Sequence, residues 1–221
     1  MSMDEAAYSV NMLPRKTFSQ YWLSQREKKV IKMGAPIDKI RGMSATQLLN
    51  YCGQSDAIPV NLDAILEKIG ISALPRDFSE TERSLQQARE NNEKVHILGA
   101  TVINGENAAI FYNQEVYQSS HRCRFTIAHE LGHCCMSNTF AHDDFHIDYR
   151  IEGQPDTVEE KAANTFAGEL LIPEKSLEKI CGQLLLPSVY ILAKIFDVSE
   201  AVMSERLKYL RFPERIVGYN Y

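Results

Sequence analysis

No stretch of the 221-residue chain approaches the ~18–20 consecutive apolar residues of a membrane-spanning helix, so a helical membrane protein is not expected. The first residues carry Asp4 and Glu5 where an export signal would be basic, which points to a cytoplasmic protein. A disulfide framework is missing too. The five cysteines (Cys52, Cys123, Cys134, Cys135, Cys181) are an odd, scattered set that suits a reducing compartment. Neither an internal repeat nor a low-complexity stretch occurs, and the single tryptophan, Trp22, lies away from the metal-site motifs below. Excess positive charge is lacking: the formal net charge is −5, which disfavours a broad nucleic-acid surface. What remains is a chain with 44% hydrophobic residues, enough to bury one good core, or a core with a small appendage.

The informative segment is Arg124-Phe-Thr-Ile-Ala-His-Glu-Leu-Gly-His133, which contains HExxH at positions 129–133. On an α-helix, residues four apart lie ~40° apart around the axis and one turn apart along it, so both imidazoles face one point. Two neutral imidazoles so placed supply two of the three protein ligands of a catalytic zinc site. Glu130 follows the first of them, off the metal but close enough to take a proton from an activated water. Phe125, Ile127, Ala128, Leu131 and Gly132 mark the helix as buried, and Gly132 admits close approach by a neighbouring element. Cys134 and Cys135 have the chemistry of metal ligands, but their helical angle turns them away from His129 and His133.

A third ligand is expected on the segment from Asp156 to Pro173. Asp156 can cap a helix whose third residue is Glu159, and the helix then runs through Ile172 and stops at Pro173. Glu160 and Asn164 are four apart on one face, among the small residues Ala163, Ala167 and Gly168 that let two helices lie close. Glu160 can complete a His-His-Glu set, and Asn164 can hydrogen-bond a liganding imidazole. The alternative third ligand, a histidine six residues after His133, is absent because Thr139 stands there, and the glycine expected three residues after His133 is Met136.

Taken together, the run from Arg124 to His133 and the run Glu160-Lys-Ala-Ala-Asn164-Thr-Phe-Ala-Gly-Glu-Leu-Leu-Ile-Pro173 resemble the ImmA/IrrE family of metallo-endopeptidases. The segments from Ile58 to Ile71 and from Leu192 to Leu207 agree with it. The resemblance implies an α+β, zincin-like fold: a small antiparallel sheet packed on helices that include the HExxH helix, with a C-terminal helical hairpin. It implies metal at His129, His133 and Glu160, with Glu130 as the base. Zinc suits such a site, and manganese is also accepted by nitrogen and oxygen ligands. It further implies a bacterial or phage protein that cuts a helix-turn-helix repressor and relieves repression.

The rest of the chain supplies a scaffold and two flanking pieces. Residues 1–43 hold eight Lys and Arg against four Asp and Glu, and Thr17 to Met33 read as an amphipathic helix, so this segment is expected to be a basic helical arm. Packing on the domain with its charges in water is favoured for it over docking an acidic partner or nucleic acid. Ser44 and Asn61 can cap short helices, the second stopping at Gly70. Ser79 to Asn92 is strongly polar and is expected to be a solvated helix or an excursion. Val95 to Val102 and Ala108 to Tyr112 flank Asn104-Gly105, a hairpin signal, and Ser119 or Ser120 can cap the HExxH helix. Phe145, Ile147, Tyr149 and Ile151 alternate with His146, Asp148, Arg150 and Glu152 in a strand pattern. His142, His146 and Tyr149 are candidates for stabilising the oxyanion of the reaction.

Helices from Ser188 to Phe196 and from Ser199 to Leu207 have helix-turn-helix spacing, but the second opens Glu200-Ala-Val-Met-Ser-Glu205 and sets Arg206, Lys208 and Arg211 late. Docking on the protease core, or on a substrate repressor, is therefore favoured over DNA reading. The expected plan is an arm (1–43), a peptidase domain (44–183) and a hairpin with a tail (184–221), with no appended sensory domain. A competing reading has the protein as a non-proteolytic, metal-containing regulator that binds a repressor or DNA. An intact Glu130 favours the enzyme, because a structural metal needs no base beside it.

Overall fold

In the computed structural model, the described residues are 37–88, 94–104, 107–113, 120–136, 145–153, 157–212 and 216. The amphipathic segment from Thr17 to Met33, most of the basic arm, His142 and Asp156 lie outside them.

Local signals place the first helices. Ser44 caps α1 (Ala45–Cys52) through a reciprocal pair, its hydroxyl accepting from Gln47 N and the Gln47 side chain accepting from Ser44 N. Asn61 caps α2 (Leu62–Ile69) by accepting from Ala64 N at 3.0 Å, and Gly70 ends it with φ of 72°, a conformation that costs glycine nothing. The chain then forms β1 (Ser72–Pro75), α3 (Ser79–Ala88), β2 (Ile97–Asn104) and β3 (Asn107–Tyr112). Next come the long α4 (Ser120–Met136), β4 (Phe145–Ile151), α5 (Val158–Leu171) and α6 (Glu174–Gln183). The chain closes with α7 (Val189–Phe196) and α8 (Glu200–Tyr209).

The four strands make one mixed sheet in the order β1-β3-β2-β4. β2 pairs antiparallel with β3, as the hairpin signal leads one to expect, and also with β4, while β1 adds a parallel edge to β3, so the sheet is mixed rather than wholly antiparallel. Asn104 faces Asn107 at the β2–β3 hairpin, although the turn between them lies outside the described residues.

Period-two alternation divides the core. Ala108 and Ile110 face a cluster built with α1, α2 and α4 to α8. Ala109 and Phe111, with Ala100 and Val102 of β2, face a second cluster that contains Phe78 and Leu85. The polar segment after Phe78 is thus more than a solvated excursion. Its helix α3 covers the far face of the sheet with Leu85, and Glu82 accepts a hydrogen bond from Ile97 N at 2.7 Å.

One cap differs from expectation. Thr157, rather than Asp156, caps α5, its hydroxyl accepting from Glu160 N at 3.2 Å. Both candidates have a glutamate three residues on, and the helix begins at Val158, which makes Thr157 the residue that directly precedes it. Of the two cap candidates for α4, Ser120 is its first helical residue and Ser119 lies outside the described residues.

The hairpin docks on the rest of the protein. Ser188 and Ser199 cap α7 and α8, and Asp197 makes the turn in the left-handed region at φ 54°. The Asp197 carboxylate lies 3.1 Å from His121 Nε2 and 3.5 Å from Arg124 Nε, tying the turn to the start of α4. Arg206 is buried, and its Nε donates to Ile172 O at 3.2 Å at the end of α5. A residue counted among the late basic positions of α8 is therefore spent inside the fold, not on a partner's phosphates.

Candidate metal centre

Helix α4 positions two imidazoles and α5 brings a carboxylate to them. His129 and His133 pack edge to face with ring centroids 4.8 Å apart, and their Nε2 atoms are separated by 3.1 Å. Close crossing of α5 depends on Gly132, where a Cβ would meet the Phe166 ring at 3.2–3.3 Å. Glu160, in the first turn of α5, then sets Oε2 at 3.2 Å from His129 Nε2 and Oε1 at 3.2 Å from His133 Nε2. The His129 side chain is fully buried, whereas those of His133 and Glu160 are 11% and 26% exposed, so the cluster opens on that side.

The donor set fits a divalent metal ion. Ligand atoms at ~2.0–2.1 Å from a tetrahedral centre lie somewhat over ~3 Å from one another, and the three separations here are 3.1, 3.2 and 3.2 Å. Burial, opposed by the contact with Glu160, lowers the His129 pKa to about 4, so this ring is neutral near pH 7. Burial also works to raise Glu160, but hydrogen bonds with the two imidazoles outweigh it and hold the carboxyl far below the usual carboxylate range. An ion-pair description of the His129–Glu160 contact is therefore inappropriate near neutrality, because the imidazole carries no charge. Lone pairs converge instead. A proton on His133 can satisfy one of these contacts, while a divalent cation satisfies all three. Among the described residues, this is the group of His, Cys, Asp and Glu side chains whose donor atoms come together, all within 4.8 Å.

Glu130, the next residue and ~100° round the helix from His129, packs beneath β2. The Thr101 hydroxyl lies 2.7 Å from Glu130 Oε2 and 3.1 Å from its backbone carbonyl, fixing the side chain against the sheet. The other oxygen, Oε1, is buried with no hydrogen-bond partner, an arrangement that costs free energy unless water or another group completes it. Burial pushes the Glu130 carboxyl up to about 7, against the pull of His133, the Thr101 hydroxyl and Arg150. Space for this carboxylate exists because residue 99 of β2 is glycine: a Cβ there would lie 2.9 Å from Glu130 Oε1 and 2.7 Å from Thr126 Cγ2.

Asn164 lies where the sequence places it, one turn beyond Glu160, with Oδ1 at 2.9 Å from His129 Nδ1. Three residues were not singled out from sequence: Gly99, Thr101 and Arg150. Arg150 reaches from β4 so that Nη2 donates to Asn164 Oδ1 at 3.2 Å, with its guanidinium 5.3 Å from the centre of the Phe125 ring. The alternation of β4 marked Arg150 as polar-facing, which was the one signal available.

Some candidates are not brought to the cluster. Tyr149 packs with the second core cluster, on the far side of the sheet from α4. It is paired with Ala100, so its parity is opposite to that of Thr101 and it does not face the imidazoles. For His146 the strand gives only its register opposite Ile103, and His142 is outside the described residues. Cys134 and Cys135 are buried in the main core, as their helical angle requires, and burial pushes the Cys135 thiol up to about 12. All five cysteines are free thiols.

A buried HExxH helix under a small mixed sheet, crossed by a helix carrying a glutamate, defines a zincin-like domain. The model of a peptidase family described as the IrrE N-terminal-like domain matches residues 67–208, from the end of α2 to the end of α8. The chain belongs to this ImmA/IrrE family of metallopeptidases. Searches of the curated proteins and of the solved structures give no match. Among the described residues, no helix is long and apolar enough to cross a membrane.

Proposed function

We propose that the protein is a zinc-dependent endopeptidase in which His129, His133 and Glu160 hold the metal and Glu130 is the general base. The observation that carries this reading is the convergence of three acceptor atoms beside a buried carboxylate oxygen with no partner. A divalent ion bound there supplies Lewis acidity, polarising the scissile carbonyl and acidifying the attacking water. Glu130 Oε1 takes the proton of that water and returns it to the leaving amine, while Thr101 holds Oε2 so that the free oxygen keeps one direction. Asn164 orients His129. β4 is an edge of the described sheet and carries Arg150 towards the cluster, so a substrate segment can extend along it by strand addition.

The proposed substrate is a helix-turn-helix repressor, cut so that repression is lifted. This part rests on the family resemblance. Manganese fits the same donors. Five free thiols accord with a reducing, cytoplasmic setting. The proposed plan keeps an arm at 1–43, a peptidase unit at 44–183 and the hairpin with its tail at 184–221. Burial of Arg206 speaks against the hairpin as a DNA reader, and so against the regulator reading in its DNA-binding form.

Chelation tests the metal dependence. Protein stripped with a chelator should lose cleavage of repressors encoded beside the gene and regain it with stoichiometric zinc or manganese. Cleavage that persists in verified metal-free protein would overturn the reading.

A narrower variant isolates the role of Thr101. Thr101→Val keeps the shape but removes the hydroxyl on Glu130, so kcat should fall roughly 10-fold or more, the scale of a lost hydrogen bond to a charged group. Bound metal should stay at the wild-type level, read by elemental analysis of the same preparation.

A further inference from the structure

Arg150 has no part in the reaction as described, yet its side chain ends on an atom that does. Its Nη2 lies 3.2 Å from Asn164 Oδ1, the same oxygen that stands 2.9 Å from His129 Nδ1. A guanidinium donates and never accepts, so the amide atom facing it has to be the oxygen rather than the NH₂. That oxygen has two lone pairs, one for each neighbour. It can only accept from His129, so Nδ1 carries the proton. A neutral ring protonated at Nδ1 presents its Nε2 lone pair, and that lone pair points towards His133 Nε2 and Glu160 Oε2 at 3.1 and 3.2 Å.

The guanidinium is itself held in place. It lies over the Phe125 ring, one turn before His129 on α4, and springs from the β4 position opposite Gly99 in the ladder with β2.

We propose that Arg150 is a positioning residue that fixes the Asn164 amide, and through it the Nδ1–H tautomer of His129, so that the site is set for metal before any arrives. The inference rests on the metallopeptidase reading. Without Arg150, the amide can turn over and offer its NH₂ to Nδ1. His129 then favours the opposite tautomer, whose Nε2–H points into the donor triangle and has to be lost before metal binds.

Two variants and two readouts test this. Arg150→Met keeps an apolar stem against Phe125 and removes the donor. Competition with a chromophoric chelator should show zinc affinity about 10-fold weaker than wild type, the scale of losing a group that orients a ligand. Adding Asn164→Asp to Arg150→Met should recover most of the loss, because a carboxylate offers only acceptors and has no wrong orientation. In the metal-free proteins, ring ¹⁵N spectra should show His129 as the Nδ1–H tautomer alone in wild type and as a mixture in Arg150→Met. Unchanged affinity and an unchanged tautomer in a folded Arg150→Met protein would overturn the inference. So would an affinity loss that Asn164→Asp fails to repair, which would make Arg150 a packing residue. A wild type that takes up no metal would end the metallopeptidase reading, and the tautomer comparison would still decide the role of Arg150.

Discussion

Glu130→Gln is expected to keep the metal and lose the chemistry, with cleavage slowed by about 10²–10⁴-fold, the contribution typical of a positioned acid–base group. The substitution changes one atom of the side chain. An amide oxygen can still accept from the Thr101 hydroxyl, whose distance to Glu130 Oε2 is 2.7 Å, so the side chain stays docked under β2. None of the three converging donor atoms is touched. What disappears is the ability to take a proton, and with a carboxyl pushed up to about 7 that ability lies in the range useful near neutral pH. A cation at the three donors would draw this value down again, favouring the carboxylate that must act as base. Single-turnover cleavage and bound metal should be measured on one preparation. Wild-type cleavage rates from metal-replete Glu130→Gln protein would remove Glu130 from the mechanism.

Gly99→Ala should be nearly as damaging, for a steric reason. Its Cβ would come within 2.7 Å of Thr126 Cγ2, 2.9 Å of Glu130 Oε1 and 3.2 Å of the Phe111 carbonyl oxygen. The first two contacts lie on α4 and the third is backbone of β3, so no single side chain can swing aside. Sheet and helix have to separate, at a cost of about 1–3 kcal/mol for overpacking a well-filled site. Glu130 moves with them, and a displacement near ~1 Å can cost about 10²-fold in rate. The unfolding midpoint in chemical denaturant and kcat should both fall in Gly99→Ala. Gly182→Ala is the control, since a Cβ there meets nothing within 4 Å and alanine is a better helix former than glycine in the last turn of α6. Equal stability and activity in the two variants would show that β2 is not packed on Glu130 as described.

His129, Glu130 and His133 were legible because a four-residue spacing on a helix is geometry in itself. Glu160 and Asn164 were legible as an i, i+4 pair on a helix with small neighbours. The caps at Ser44, Asn61, Ser188 and Ser199 were legible because a cap reaches only three residues. Asp156 and Thr157 show the limit of that signal, since each precedes a glutamate by three and only the backbone decides between them.

Gly99, Thr101 and Arg150 were not legible. Thr101 meets Glu130 across 29 residues of chain, and the partner depends on which face of β2 turns to α4. Arg150 depends on the pairing of β4 with β2 as well, and that register shifts between Ile97 and Gly99. Alternation in β4 announced two faces without saying which one the helix would cover. The same parity removes Tyr149 from the imidazoles, though its ring chemistry had made it a candidate.

The central claim is that His129, His133 and Glu160 form one metal site. Anomalous diffraction at the zinc edge, from crystals grown with stoichiometric zinc, tests it most directly. The account predicts a single strong peak about 2.0–2.2 Å from both Nε2 atoms and from the Glu160 carboxylate. A structure with those three side chains ordered and no peak between them, or with the metal bound elsewhere, would contradict it.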